Sequence, residues 1–152
     1  MTADLLGVPR TMAEGTRATT RSRPGVLEID VQLTALAVSH VRGIVLGHLV
    51  LWGLPSCEWE VGLATSELLT NAFNHARQAD QPTVKVRLVL SRTPGGLFLS
   101  VSDPDSRQPT TPCLEDDAEN GRGIPLLRNI GEDFGCSGSD RGKDVWITFA
   151  TP

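Results

Sequence analysis

Three polar side chains with helical spacing are the residues of this sequence best suited to chemistry. Glu67, Asn71 and His75 follow one another at intervals of four residues, which places them along one edge of an α-helix. An amphipathic surface helix would explain this spacing without any site, because the other arc is apolar: Leu68, Leu69, Ala72, Phe73 and Ala76. The polar arc, however, has no basic residue before Arg77 and includes two Asn, a residue type that costs up to about 0.7 kcal/mol relative to Ala in a helix interior. Something other than helix propensity therefore selects these residues.

The oxygen atoms on this edge indicate a phosphate site. A carboxylate and a carboxamide, such as those of Glu67 and Asn71, are hard ligands that suit Mg²⁺ bound to a nucleotide. A metal hydrolase that uses Glu67, Asn71 and His75 is a weaker alternative. Asn is a poor ligand for transition metals, and residues in one line do not converge on a metal centre. The pattern favours a nucleotide site.

The helix that carries this edge is the second of two predicted helices. Residues Leu33 to Trp52 form the first one, with an apolar stripe, and Gly53-Leu54-Pro55 ends it with a glycine and a proline. Ser56 then caps the second helix. Glu58 and Glu60 lie in its early turns, where the helix dipole favours negative charge.

A carboxylate closes one strand of a predicted hairpin. Thr83 to Leu90 and Leu97 to Asp103 alternate apolar and polar residues, and Thr93-Pro94-Gly95-Gly96 between them is a turn sequence. Asp103 shares the parity of the strand's apolar residues, so we expect its carboxylate at the mouth of the core. An Asp before Pro104 can form a turn, and a carboxylate at the lip of an apolar pocket can accept a hydrogen bond from a ligand. The pattern does not decide between these two roles.

A glycine-containing segment follows a long irregular stretch. Pro104 to Asn120 contains three prolines and an acidic run, which we interpret as solvated charge, and its length is typical of lids, binding loops or disorder. Gly121-Arg122-Gly123-Ile124 then leads into a helix predicted from Pro125 to Ile130. Glycines before a helix allow close backbone approach, and the free N–H groups of a first helical turn bind phosphate. The same sequence also suits an ordinary helix start, so the phosphate role is weakly indicated by itself.

The order of elements predicts an α+β fold. A strand from Gly25 to Val31, expected at an edge of the sheet, precedes the helices, and strands from Phe134 to Ser137 and from Lys143 to Ala150 end the chain. The order β-α-α-β-β-α-β-β is typical of a two-layer sandwich, a mostly antiparallel sheet with helices on one face. Residues 1–24 lack periodicity and are expected to form a flexible N-terminal tail, so residues 25–152 are predicted as one domain.

Composition narrows the class of protein. With 152 residues, 39% of them hydrophobic and 21% charged, the chain is an ordinary globular protein. A net charge of −4 argues against direct nucleic-acid binding, which needs a basic surface. The three cysteines form no CxxC pair, so we expect reduced thiols rather than a disulfide framework or a zinc site. No apolar run reaches membrane-spanning length and no signal-peptide core is present, which favours a cytoplasmic protein without membrane contact.

Four segments, taken in order, resemble those of the Bergerat-fold (GHKL) ATP-binding domains. The stretch from Glu67 to Ala76 is similar to their N-box, and Val101-Ser102-Asp103 to the strand end that opens their G1 box. Gly121-Arg122-Gly123-Ile124 is similar to the G2 box, and Gly142 to Ile147 to the closing strand. The resemblance covers roughly Val26 to Phe149. More specifically, the chain resembles the short, stand-alone bacterial anti-sigma factor serine/threonine kinases.

The resemblance implies ATP and Mg²⁺ as cofactors and a role for each helix residue. Asn71 would be a ligand of the Mg²⁺ that bridges the ATP phosphates. Glu67 would be the catalytic general base, taking a proton from a seryl hydroxyl or from water. His75, one turn past Asn71, would line the nucleotide site.

The same resemblance implies roles at the strand end and in the glycine segment. Asp103 would accept a hydrogen bond from the adenine amino group. Gly121 and Gly123 would give a lid loop its backbone freedom, and the amides around them, at Arg122 and Ile124, would contact phosphate.

Function and partners are implied as well. Proteins of this type bind ATP, bind an RNA polymerase sigma factor and phosphorylate a serine of an anti-sigma-factor antagonist. Related proteins are dimers, so a homodimer is a further expectation, although the sequence does not identify its face. One departure favours an alternative, because Asp103 is followed by Pro104-Asp105-Ser106-Arg107 where the family has Asp-x-Gly-x-Gly. A regulatory module that binds ATP and partners without phosphoryl transfer is the second expectation, while retention of Glu67 favours the kinase.

Overall fold

Six strands and two long helices are the main elements of the described part of the chain. The computed structural model describes residues 17–77, 83–103, 127, 129–139 and 142–152. The elements are β1 (Arg17–Arg23), β2 (Val26–Leu33), α1 (Ala35–Leu51), a 3-10 turn (Pro55–Cys57), α2 (Glu58–Arg77), β3 (Val84–Thr93), β4 (Gly96–Asp103), β5 (Asp133–Ser139) and β6 (Gly142–Ala150). The described strands form one antiparallel sheet in the order β1-β2-β3-β4-β6-β5.

Alternation along the strands places the core on one face of this sheet. In β2 every second residue, from Leu27 to Leu33, is buried, and β3 and β4 repeat the pattern from Val84 to Leu90 and from Leu97 to Val101. Both helices cover this face, with α1 on β2 and α2 on β3, β4 and β6. The predicted α+β fold, a two-layer sandwich of an antiparallel sheet with helices on one face, is confirmed.

Local contacts fix both ends of α1. The Thr34 hydroxyl accepts a hydrogen bond from the Ala37 N–H at 3.1 Å and so caps the first turn. At the other end Gly53 adopts a positive φ of 75°, a conformation that glycine reaches without steric cost. The Arg92 guanidinium of β3 donates to the Trp52 carbonyl at 3.4 Å. The C-terminus of α1 therefore lies over the Arg92 end of β3.

The sheet begins earlier in the chain than predicted. Residues 17–23, expected to belong to a flexible tail that ends at residue 24, form β1 and pair with β2 from Arg17↔Gln32 to Arg23↔Val26. This strand lacks an apolar alternation, since every residue of it except Ala18 is exposed. The predicted edge strand, observed as β2, is consequently second in the sheet because β1 pairs with its free edge. Residues 1–16 lie outside the described residues, and the division into tail and domain stays a prediction.

Three smaller expectations also have an outcome. Ser56 lies inside the 3-10 turn, and α2 begins at Glu58. Cys136 of β5 is disulfide-bonded, so the expectation of reduced thiols is wrong for this residue, because separation in sequence does not report proximity in the fold. Cys57 is a buried free thiol. Of the helix predicted from Pro125 to Ile130, the described residues Leu127, Asn129 and Ile130 are helical, and Leu127 is buried in the core; the other three lie outside the described residues.

Candidate functional site

The orientation of α2 determines where its polar edge points. Val61, Ala64 and Leu68 are buried in the core, and a Cβ placed on Gly62 would lie 3.2 Å from Arg42 Nε and 3.3 Å from Leu46 Cδ2 of α1. Gly62 therefore marks the side of α2 that faces α1. At about 100° per residue, Glu67 and Asn71 lie roughly 140° and 180° around the helix from that side. We call Glu67 and Asn71 the α2 flank, which points away from α1.

Exposure separates the polar arc of α2 into two parts. Thr70 and Asn74 are exposed, whereas Glu67 and Asn71 are half-buried. A helix face that serves only for solvation would expose all four side chains. The half-buried pair is therefore the part of the arc that faces the rest of the domain. His75 belongs to α2 by its backbone, and its side chain lies outside what the structure describes.

Chain direction places the α2 flank near the end of β4. The Arg92–Trp52 contact holds the end of α1 at the Arg92 end of β3, and α2 begins six residues after Trp52, at Glu58. It then returns along the sheet and ends at Arg77, before β3 begins at Val84. The start of β3 pairs with the end of β4, through Arg87↔Ser102. The second half of α2 thus lies at the sheet end where β4 finishes with Asp103.

Asp103 lies at the lip of the core, as its parity predicted. Leu97, Leu99 and Val101 precede it on the same face of β4 with 0%, 0% and 3% exposure, and Asp103 itself is half-buried. Its Cα partner on β6 is Lys143. Charged groups at the end of a buried apolar strip lie where a ligand bound at the edge of the core could form hydrogen bonds with them.

Part of the predicted site lies at one end of the sheet. Glu67 and Asn71 belong to the second half of α2, and Asp103 ends β4 at the same end of the helix-covered face. Gly121, Arg122, Gly123 and Ile124 lie outside the described residues, so their predicted phosphate contacts stay a prediction. Sequence reasoning did not single out Lys143, although it shares the strand parity of Val145, Ile147 and Phe149. Only the register of β4 against β6 reveals that it lies opposite Asp103.

Among the described residues, the side chains with shifted pKa values lie on the other face of the sheet. Asp30 accepts hydrogen bonds from Arg87 Nε at 2.8 Å and from Arg21 Nη2 at 2.9 Å. The Arg87 hydrogen bond is the largest cause that holds the pKa of Asp30 below its usual value. This network is a feature of the sheet rather than of the candidate site, because Asp30 points away from the helices.

Neither described helix combines the length and apolar character of a membrane span.

Two comparisons with known proteins bear on the class of this protein. A comparison with curated proteins gives no match. The sequence does match the family of histidine kinase-like ATPase domains over residues 31–149, a range that contains α1, α2, strands β3 to β5 and all but the last residue of β6. The chain therefore belongs to the histidine kinase-like ATPase domain family, a family of the GHKL type that uses ATP.

Proposed function

We propose that this protein is an ATP-binding regulatory serine/threonine kinase that binds a sigma factor and phosphorylates an anti-sigma-factor antagonist. Family membership supports the use of ATP. The observation that carries the proposal further is the half-burial of Glu67 and Asn71 on the flank of α2 that points away from α1. A carboxylate and a carboxamide held partly out of water, one helical turn apart, are suited to act on a bound ligand.

The residues present fit a magnesium-bound nucleotide. The Asn71 carboxamide oxygen is a hard ligand for Mg²⁺, and the Asp103 carboxylate can accept from the adenine amino group. When bound, Mg²⁺·ATP supplies the phosphoryl group and the cation that offsets its charge. Val145 of β6, half-buried next to the Asp103–Lys143 pair, offers an apolar contact for the base.

Glu67 has the position of a general base in this proposal. It lies four residues before Asn71, so its carboxylate is about one turn from the ligand that would hold the metal. There it would accept the proton of the attacking seryl hydroxyl, while Asn71 orients the nucleotide. The sigma factor and the antagonist are proposed as partners on the resemblance to anti-sigma factor kinases alone.

A second function is favoured by one feature of the sequence. Pro104-Asp105-Ser106-Arg107 follows Asp103 where glycines would let the chain pass close to the nucleotide. A protein that holds ATP and its partners without transferring phosphate would tolerate this change. The two functions differ in one measurable quantity, the transfer of labelled phosphate from ATP to protein.

The nucleotide site is tested by calorimetry with ATP in the presence and absence of Mg²⁺. We expect the parent protein to bind ATP more tightly with Mg²⁺. Asn71→Ala should lose that dependence, with an affinity at least roughly tenfold lower. Asn74→Ala is the matched control, since Asn74 lies on the same arc but is exposed. Unchanged affinity and Mg²⁺ dependence in Asn71→Ala would refute the site.

A further inference from the structure

The register of β4 against β6 places a cation beside the carboxylate that ends β4. Asp103 and Lys143 are direct Cα partners in the antiparallel pair, and directly opposite side chains lie on the same face of a sheet, with Cβ atoms about 4.5–5.5 Å apart. The preceding pairs on that face, Val101↔Val145 and Leu99↔Ile147, show which face it is. Leu99 and Ile147 are both fully buried beneath the helices.

Burial decreases in steps toward this charged pair. Leu99 and Ile147 have 0% exposure, Val101 has 3%, and Val145, Asp103 and Lys143 are half-buried. The side chains that a ligand can reach at this end of the two strands are therefore one apolar group, Val145, one hydrogen-bond acceptor and one donor. An apolar side chain beside an acceptor and a donor is complementary to the edge of a flat heteroaromatic ring.

The ammonium of Lys143 is not committed to its neighbour. Among the described residues, the ion pairs within 4.0 Å involve Arg21, Arg23 and Arg87 with Glu28 and Asp30, and none joins Lys143 to Asp103. Lys143 also has no other hydrogen bond within the described part of the chain. Its three N–H donors are available to a ligand that enters between the strand ends and α2.

We infer that Lys143 is a base-reading residue that donates a hydrogen bond to the adenine ring nitrogen beside the amino group, N1 or N7. This inference rests on the proposed function, in which Asp103 accepts from that amino group. Adenine presents a donor flanked by acceptors, so an Asp–Lys pair matches its edge. Guanine presents an acceptor oxygen where adenine has the amino group. This oxygen would face the Asp103 carboxylate, and two acceptors cannot form a hydrogen bond with each other. The pair would therefore select adenine over guanine nucleotides.

The inference is tested with ATP analogues that lack one ring nitrogen. Binding of ATP, 1-deaza-ATP and 7-deaza-ATP to the full chain is measured by calorimetry with Mg²⁺. We expect one of the two analogues to bind roughly tenfold more weakly than ATP to the parent protein, and the position of the missing nitrogen identifies the contact. In Lys143→Met, which keeps a long unbranched side chain and removes the donor, that preference should disappear. Lys85→Met is the matched control, because Lys85 is exposed on the opposite face of the sheet.

Each other outcome overturns the assignment. If the parent protein binds ATP and both analogues equally, Lys143 does not read the base, whatever its variant does. If Lys143→Met weakens all three ligands by the same factor, the ammonium contributes charge rather than a contact with the ring. If the parent protein binds ATP with Mg²⁺ but the preference persists in Lys143→Met, only this inference fails. Absence of ATP binding in the parent removes the proposed function as well.

Discussion

At the scale of single residues, charged side chains connect three strands on the face of the sheet that the helices leave uncovered. Arg21 donates to Glu28 at 3.0 and 3.1 Å and to Asp30 at 2.9 Å, and Arg87 donates to Asp30 at 2.8 Å. The register explains the network, because Arg21 lies opposite Glu28, and Asp30 lies opposite Arg87. Opposite charges in such cross-strand pairs favour the sheet. They help to hold the exposed strand β1 on β2.

Asp30 gives this network a predictable dependence on pH. Its pKa is lowered from the usual 3.8, first by the hydrogen bond from Arg87. A carboxyl whose pKa is lower in the folded state adds stability above its unfolded pKa and loses it as the pH falls through the folded pKa. We expect Asp30→Asn to reduce the free energy of unfolding by about 0.2–1 kcal/mol at pH 7, the range for solvent-exposed pairs.

The difference between parent and Asp30→Asn should shrink below pH 3.8, as measured by urea unfolding across the acid range. Asp144→Asn is the control, because Asp144 lies on the same face of the sheet, is exposed, and has no ion pair within the described residues. A deficit in Asp30→Asn that stays constant from pH 7 to pH 3 would contradict an electrostatic origin.

At the scale of elements, the periodicity of apolar residues predicted those helices and strands that bury one face in the core. The apolar stripes of α1 and α2 and the alternation of β3 and β4 are visible in the sequence because each element buries one face. β1 was missed for the same reason, since a strand with six exposed residues of seven has no alternation to detect. The α2 flank was predicted from spacing alone. Lys143 was not, because a pair across two strands depends on register, which hydrophobic pattern does not report.

Two glycines differ in the space available for a side chain, so replacing each by Ala should have opposite effects on stability. A Cβ on Gly96, at the start of β4, would lie 2.5 Å from the Phe149 carbonyl oxygen, whereas nothing lies within 4 Å of one on Gly43 in α1. Gly96→Ala must push β4 away from the backbone of β6, so we expect it to lower the free energy of unfolding by about 1–3 kcal/mol. Gly43→Ala should raise it by about 0.5–1 kcal/mol through helix propensity. Urea unfolding measures both, and a destabilising Gly43→Ala would contradict the open environment of that position.

At the scale of the whole molecule, the two layers give the sheet two different faces. The helices bury one face, and the other carries the charged network and a stacked Phe98–Trp146 pair, with ring centroids 6.3 Å apart. The two-layer order could be predicted because apolar faces must be buried. The strand order and the ladder partners could not, since each depends on residues far apart in sequence. The proposed site belongs to the buried face, at one end of α2, β4 and β6.

Whether this domain is a kinase or a binding module depends on Glu67. As a general base, it should contribute about 10²–10⁴-fold to the rate, so Glu67→Gln should lose transfer of labelled phosphate from ATP to a purified candidate antagonist while its affinity for ATP stays within about threefold. Glu60→Gln is the control, because Glu60 lies two turns earlier on the same side of α2. Equal rates in parent and Glu67→Gln would exclude Glu67 as the base. A parent protein that binds ATP and transfers phosphate to neither protein nor water would be a binding module, and the missing glycines after Asp103 would then be its physical explanation.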